Sequence, residues 1–301
     1  MPAPENHEAC PHIRSFLGSL LVITLALESL VALASRWQDS LLFLTLAHAV
    51  TWSPAMAAFV ASRRCRRPLF AIGFGWPKWQ TLAIGYTLPL AYSLIIYGIV
   101  WTTGLGHFYN SAHLDHMVAA LGFHNLSTSH AFLALALIYP TVIFLEGCAS
   151  SLGEEIGWRG FLLPELIKIM SFPKAAFLSG LVWAVWHYPL IIFGGYHGHS
   201  HLLYSLGCFT AVIIALSFPL SWLRLRSGSV WPCTFFHASH NLFMLKLFNP
   251  LTVDTGPTRW LVSEFGILTV LVTVAMAWMS SRPALGGRKE NGDAVETCMN
   301  D

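Results

Sequence analysis

The sequence contains few charged residues. Lysine, arginine, aspartate and glutamate make up 11% of its 301 residues, whereas soluble domains contain about 25%. The formal net charge of +2 is spread thinly and forms no basic stripe of the kind that binds nucleic acid. The composition therefore excludes an ordinary soluble domain and indicates no nucleic-acid partner.

Cysteine pairs with metal-binding or redox spacing are also missing. The six cysteines are scattered along the chain at Cys10, Cys65, Cys148, Cys208, Cys233 and Cys298. Because no Cys-x-x-Cys pair occurs, a disulfide framework and a zinc knuckle are both disfavoured. Most of these cysteines are expected to be small apolar packing residues. Internal repeats are absent as well.

Long apolar runs dominate what remains. Hydrophobic residues make up 55% of the chain, and a membrane-spanning helix needs about 20 consecutive, mostly apolar residues. By that rule the sequence predicts an all-α, polytopic membrane bundle of about eight transmembrane helices. The predicted spans cover residues 15–35, 41–61, 81–101, 131–152, 175–194, 202–223, 230–248 and 260–280. Prolines inside them predict kinks, at Pro54, Pro89, Pro140, Pro189 and Pro219.

Basic residues predict the orientation of these spans. Most lysines and arginines fall in the even-numbered loops and the C-terminal segment, whereas the odd-numbered loops hold only Arg36 and Arg259. Cytoplasmic loops carry the excess of lysine and arginine. We therefore expect an integral, multi-pass protein of a prokaryotic plasma membrane with both termini in the cytoplasm.

Two adjacent carboxylates and an arginine stand beside the fourth predicted span, in the stretch GEEIGWRGFLLPEL. In a helix, Glu155 and Arg159 share a face and can pair, while Glu154 points about 100° away. One carboxylate is then neutralised and the other is free. The alternative is an acidic helix end beside the membrane, with Glu154 in contact with water. Such a position avoids the free-energy cost of inserting a charged side chain into the bilayer core, about 2.5–3.5 kcal/mol.

Further polar residues lie in the fifth and seventh predicted spans. Trp183 and His187 are one helical turn apart, and His237 and Asn241 share a face that His240 can flank. Each cluster alone is also typical of interhelical hydrogen bonding. Together with Glu154 they form a set that hydrolytic chemistry uses: a base for water, a histidine to orient it and donors for an oxyanion.

The first cluster resembles a known motif. Glu154-Glu155-x-x-x-Arg159, followed by Gly160 and FLLP, is similar to the first motif of the CAAX-protease and bacteriocin-processing family. That family includes the type II CAAX prenyl endopeptidase, or Ras-converting enzyme. Its fold is a membrane helical bundle with a conical, cytoplasm-facing intramembrane cavity, and its activity is intramembrane endoproteolysis.

The other two clusters match in order and spacing. Trp183-x-x-x-His187 resembles the family's Phe-x-x-x-His motif, with tryptophan in place of phenylalanine, and His237-x-x-x-Asn241 matches its His-x-x-x-Asn motif. The resemblance covers roughly residues 130–248. It divides the chain into a tail (1–14), accessory helices one to three (15–129), a protease core of helices four to seven (130–248), a last helix (249–281) and a disordered cytoplasmic tail (282–301).

The resemblance also implies roles for individual residues. Glu154 is expected to be the general base that holds water with His187, while His237 and Asn241 stabilise the oxyanion. Glu155 and Arg159 are expected to form a structural pair that supports the helix of Glu154, with Trp183 beside the site.

The cofactor and the substrate stay open at this stage. A divalent metal such as zinc is disfavoured because asparagine is a poor zinc ligand and His-Glu-x-x-His is absent. If a metal binds, its expected ligands are Glu154, His187 and His237. The expected partners are the lipid bilayer and a membrane protein, prenylated peptide or leader peptide as substrate. A non-catalytic scaffold of the same fold and a proton- or ion-coupled transporter are the alternatives.

Overall fold

The computed structural model describes residues 5–36, 40–124, 126–196 and 200–281, and the predicted disordered tail at 282–301 lies outside them. These residues form a helical bundle, as the sequence predicts. The α-helices are α1 (Glu5–Arg36), α2 (Ser40–Thr51), α3 (Ser53–Arg64), α4 (Trp79–Thr103), α5 (Ser111–Ala120), α6 (Thr128–Ile138), α7 (Phe144–Glu155), α8 (Leu163–Ile169), α9 (Phe172–Phe193), α10 (Leu202–Ser227), α11 (Trp231–His240), α12 (Asn249–Leu251), α13 (Thr258–Leu261) and α14 (Ile267–Ser281).

Shorter elements join these helices. Three π-helices continue the α-helices: π1 (Tyr139–Ile143), π2 (Ile156–Leu162) and π3 (Asn241–Phe248). A 3₁₀ helix covers Leu69–Ile72. Strands β1 (His107–Phe108) and β2 (Thr252–Val253) pair antiparallel, with His107 opposite Val253 and Phe108 opposite Thr252.

The predicted number of membrane spans can be compared with the helices of the described residues. In the part of the chain that the structure describes, five helical segments are long and apolar enough to cross a bilayer, and a sixth candidate is the bent pair α2–α3. The predicted seventh span coincides with α11 and π3, whose polar residues His237, His240 and Asn241 reduce its hydropathy. The predicted eighth span is represented by α14, which has only 15 residues. The predicted total of about eight is therefore not confirmed.

Proline shapes two of the helical segments. The axes of α2 and α3 differ by 49°, and Pro54 occupies the first turn of α3, where its missing N–H breaks no helical hydrogen bond. Pro140 lies in π1, between α6 and α7. Proline removes one backbone donor and commonly bends a helix. Two of the five predicted kink positions, Pro54 and Pro140, therefore coincide with a change of helix direction or type. The other three, at Pro89, Pro189 and Pro219, lie inside α4, α9 and α10.

Close packing fixes the position of α7 and π2 against α3. A β-carbon on Gly153 would lie 2.8 Å from Cγ of Trp52, and one on Gly157 would collide with Pro54. Glycines four residues apart let two helix backbones approach closely in a membrane. The glycines on either side of the Glu154–Glu155 pair therefore hold these carboxylates at a defined position relative to α3.

Two arginines bind the backbone of π2. Nε of Arg224 donates to the carbonyl oxygen of Arg159 at 2.9 Å, and Nη2 of Arg67 donates to that of Gly160 at 3.3 Å. Nε of Arg67 also lies 2.9 Å from Oε1 of the buried Glu165. Burial lowers the pKa of Arg67, and the Glu165 carboxylate opposes that change. These arginines therefore stabilise the fold. They also belong to the basic residues whose distribution among the loops predicts the orientation in the membrane.

Candidate active site

The predicted site residues line one cavity of about 90 Å³. Glu154, His187, His237 and Asn241 all contribute to its wall, and so do Trp183 and His240. The polar residues come from the end of α7, from α9, and from the junction of α11 with π3. Since π-helical segments often occur at functional sites, the two helix-type junctions at Glu155 and Asn241 are consistent with a functional cavity.

Glu154 lies at this cavity without a cationic partner. Its side chain is 6% exposed, and Oε2 accepts a hydrogen bond from Nε1 of Trp183 at 2.7 Å. Within the described part of the chain it forms no ion pair. The tryptophan that replaces the family's phenylalanine therefore supplies a donor that phenylalanine lacks, which the sequence comparison did not anticipate.

Glu155, unlike Glu154, has a cationic partner, because it pairs with Arg159. Nη1 of Arg159 lies 3.0 Å from Oε1 of Glu155, and both side chains are fully buried. The same guanidinium donates to Oγ of Ser217 at 3.0 Å and lies 4.4 Å from the ring centroid of Trp183. The pair thus connects the site helix to α10 and packs against the indole that contacts Glu154.

Two histidines have their Nδ1 atoms committed to acceptors. Nδ1 of His237 lies 3.0 Å from Oε1 of Glu155, and Nδ1 of His187 lies 3.0 Å from the carbonyl oxygen of Trp183. An ionised carboxylate and a backbone carbonyl only accept, so both Nδ1 atoms carry the proton. In the neutral ring Nε2 is then an acceptor. His237 can donate from Nε2 only as an imidazolium, with Glu155 as its counter-ion.

These histidine orientations resemble those of metal ligands, but the ligand set is not assembled. A metal-bound histidine typically donates its other N–H to a carboxylate or a carbonyl. Among the residues that the structure describes, however, no three His, Cys, Asp or Glu side chains are grouped to hold an ion. The set Glu154, His187 and His237 therefore does not fit a metal centre, and the metalloprotease alternative lacks support.

The structure adds residues that motif matching did not select. His240 is 3% exposed and its Nδ1 contacts the Tyr92 hydroxyl. Glu264 is 4% exposed, lines the same cavity and accepts a hydrogen bond from the Tyr196 hydroxyl. Ser263 precedes it with φ of 63°, a left-handed conformation that is uncommon for serine and often found at functional sites. The one sequence signal for Glu264 was a carboxylate near the start of a predicted apolar span.

A second, larger cavity of about 670 Å³ meets the first one. Its walls come from α1, α2 and the C-terminal half of α9, and are apolar except for Glu28, Ser29, Thr51 and the shared residues. Glu154 and His187 line both cavities. Its size is typical of small-molecule and cofactor sites, about 300–1,000 Å³. An apolar chamber therefore leads to the two residues expected to hold water.

Comparison with known proteins relates the segment that contains these residues to a protease family. Residues 136–243 match the family model of the type II CAAX prenyl endopeptidase Rce1-like proteins. The chain is also 28% identical over 145 residues to CAAX prenyl protease 2 of Methanococcus maripaludis, a match covering 46% of this chain and 50% of that protein. The chain thus spans about half the length of this curated relative. The predicted resemblance is confirmed: over the segment that contains Glu154, His187, His237 and Asn241, this membrane protein is similar to the Rce1-like type II CAAX prenyl endopeptidases.

Proposed function

We propose that this protein is an intramembrane endopeptidase that hydrolyses a peptide bond of a prenylated or otherwise membrane-associated substrate. The observation that carries this proposal is the convergence of Glu154, His187, His237 and Asn241 on one cavity. The Rce1-like segment and the curated relative named CAAX prenyl protease 2 support the same reaction class. A scaffold needs no such convergence of a base, two histidines and an amide.

Glu154 acts as the general base in this proposal. Its carboxylate takes a proton from a water molecule that also donates to Nε2 of His187, so the water oxygen directs a lone pair at the scissile carbonyl carbon. The indole N–H of Trp183, at 2.7 Å from Oε2, holds the carboxylate in place. The proton on Glu154 then passes to the leaving amine as the C–N bond breaks.

Charge develops on the carbonyl oxygen during the attack, and Asn241 and His237 are assigned to stabilise it. The side-chain amide of Asn241 has two N–H donors and lines the same cavity as Glu154. His237 contributes as an imidazolium, since its Nδ1 is committed to Glu155. Removal of one oxyanion donor typically lowers kcat by about 10²–10³.

The larger cavity suits an apolar substrate group. It is lined mostly by aliphatic and aromatic side chains of α1, α2 and α9, and it reaches the catalytic base. A peptide anchored in the bilayer by a prenyl chain or by apolar residues can place that chain here and its peptide bond beside Glu154. We further propose that the site opens to the cytoplasm, the side that the lysine and arginine distribution assigns to both termini.

Cleavage by the purified protein in lipid nanodiscs tests the proposal. A farnesylated CAAX peptide, its unprenylated counterpart and a leader-type peptide are offered, and products are identified by mass spectrometry. The wild-type protein is expected to cleave the membrane-associated peptides, and Glu154→Gln is expected to be nearly inactive because an amide cannot accept the water proton.

Glu146→Gln is the matched control. Glu146 belongs to the same helix, but its side chain is 48% exposed and pairs with Lys246 at 2.7 Å, so its amide should leave turnover unchanged. A folded Glu154→Gln protein that cleaves as fast as the wild type contradicts the role of Glu154. A wild-type protein that cleaves none of the peptides contradicts the proposed reaction.

A further inference from the structure

His240 lies in the proposed active site and has one ring nitrogen without a partner. It is the last residue of α11, adjacent to Asn241, and lines the same cavity. Its Nδ1 contacts the hydroxyl of Tyr92, which projects from α4 and is 2% exposed. Its Nε2 is buried and has no hydrogen-bond partner within the described ranges of the chain. A buried polar atom of this kind indicates a missing ligand or a strained group.

The contact with Tyr92 determines where the proton of this neutral ring resides. Among the described residues, the Tyr92 hydroxyl has no other hydrogen-bond partner than His240. If Tyr92 donates to Nδ1, the proton of the imidazole is on Nε2, and this N–H is the single donor left unpaired. If Nδ1 donates instead, the single donor left unpaired is the buried Tyr92 O–H. Each arrangement thus leaves one buried donor unpaired, and the strength of the hydrogen bond decides between them. Because a phenol O–H is a stronger donor than a neutral imidazole N–H, and an imidazole nitrogen is a stronger acceptor than a phenol oxygen, the first arrangement is preferred.

His240 therefore differs from the other two histidines of the cavity. Nδ1 of His187 and Nδ1 of His237 both donate to acceptors, at 3.0 Å each, so their neutral rings present an acceptor at Nε2. Only His240 presents an N–H at Nε2 while neutral. An uncharged donor can remain in a buried cavity at lower desolvation cost than an imidazolium.

We propose that His240 is a catalytic residue that donates its Nε2 hydrogen to the carbonyl oxygen of the scissile bond, beside the amide of Asn241. Tyr92 is the positioning residue that keeps Nδ1 unprotonated. This inference rests on the proposed endopeptidase function. Two uncharged donors from adjacent residues, Nε2–H of His240 and the amide of Asn241, then stabilise the oxyanion, and a cationic His237 is not required. Nε2 of His237 is free to accept a hydrogen bond from water or substrate.

Two substitutions separate the chemical role from a structural one. His240→Phe keeps an aromatic ring of similar shape and removes the donor, so kcat for the farnesylated CAAX peptide should fall about 10²–10³-fold with KM changed less than about threefold. Tyr92→Phe keeps the ring of Tyr92 and removes the hydroxyl, so the proton of the neutral His240 ring can lie on either nitrogen. We therefore expect kcat to fall by a smaller factor, about 10-fold. Tyr97→Phe is the matched control, because this buried α4 tyrosine donates to the carbonyl of Met244 at 3.0 Å instead; its kcat should stay near the wild-type value.

Nitrogen NMR of the wild-type protein with labelled histidine tests the proton position without any turnover. The expected spectrum assigns a protonated Nε2 and an unprotonated Nδ1 to His240, with the two tautomers mixed in Tyr92→Phe. A protonated Nδ1 in the wild type, or a folded His240→Phe variant with wild-type kcat, overturns this inference and leaves the proposed function intact. A wild-type protein that cleaves no peptide overturns both.

Discussion

One carboxylate oxygen, Oε1 of Glu155, lies 3.0 Å from Nδ1 of His237 and also 3.0 Å from Nη1 of Arg159. The first contact fixes the orientation of a proposed catalytic ring, and the second neutralises the carboxylate inside the protein. Glu155 therefore connects the structural pair to the chemistry. Disturbing Arg159 is expected to affect both stability and turnover.

Substitution of Arg159 tests this connection. Arg159→Ala leaves Glu155 buried without its cation, and one-sided loss of a buried ion pair typically costs about 3–5 kcal/mol. The free energy of unfolding should fall by that order, as measured by thermal or denaturant unfolding in detergent, and peptide cleavage should fall with it.

Arg259→Ala provides the comparison for Arg159. Its pair with Asp254, at 3.2 Å, is about 40% exposed on both sides, and exposed pairs contribute about 0–1 kcal/mol. If Arg159→Ala unfolds at the same temperature as the wild type while losing all activity, Arg159 acts in catalysis and not through the fold.

Trp183→Phe restores the residue type of the related motif and removes one hydrogen bond. The phenyl ring can still pack under the Arg159 guanidinium, but Oε2 of Glu154 loses its donor at 2.7 Å. We expect a folded protein with kcat lowered about 10-fold, because the carboxylate is less well positioned. Steady-state kinetics measures the effect.

Trp101→Phe is the control for Trp183. It removes an indole hydrogen bond to Oγ1 of Thr252 at 3.0 Å, away from the cavity, and should leave kcat unchanged. Equal losses in both variants would show that the indole of Trp183 matters for packing only.

Tyr196→Phe removes the hydroxyl that donates to Glu264. The buried carboxyl group then lacks its partner, and stranding such a group costs about 1–3 kcal/mol. The double substitution Tyr196→Phe with Glu264→Met should be more stable than Tyr196→Phe alone, since both polar groups are gone. The unfolding midpoints of the wild type, the single variant and the double variant measure these differences. A double variant that is less stable than Tyr196→Phe contradicts this account.

Membrane topology can be read with single cysteines in a cysteine-free background. A membrane-impermeant thiol reagent applied to intact cells should label a cysteine at the exposed position His116 and should not label one at Lys78 or at the C-terminus, because the basic loops are assigned to the cytoplasm. Labelling of the C-terminal cysteine from outside would reverse the proposed orientation.

The sequence by itself determined the class of fold and predicted the residues of the candidate site. Apolar runs of membrane-spanning length predict transmembrane helices, because backbone polar groups in lipid must form their hydrogen bonds within the protein. Three short motifs that resemble those of a protease family, in their order and spacing, led to the prediction of Glu154, His187, His237 and Asn241 as site residues. The sequence also predicted the Glu155–Arg159 pair, a contact within one turn of the chain.

Only the tertiary structure decided which contacts join different helices. The indole of Trp183 reaches Glu154 across 29 positions, and Tyr92 reaches His240 across 148. No local periodicity encodes such distances, because they depend on helix packing, on the glycines that set α7 against α3 and on the π-helices that rotate the residues beyond them. The proton positions inferred for the three histidines depend on those partners, and so that inference also required the folded chain.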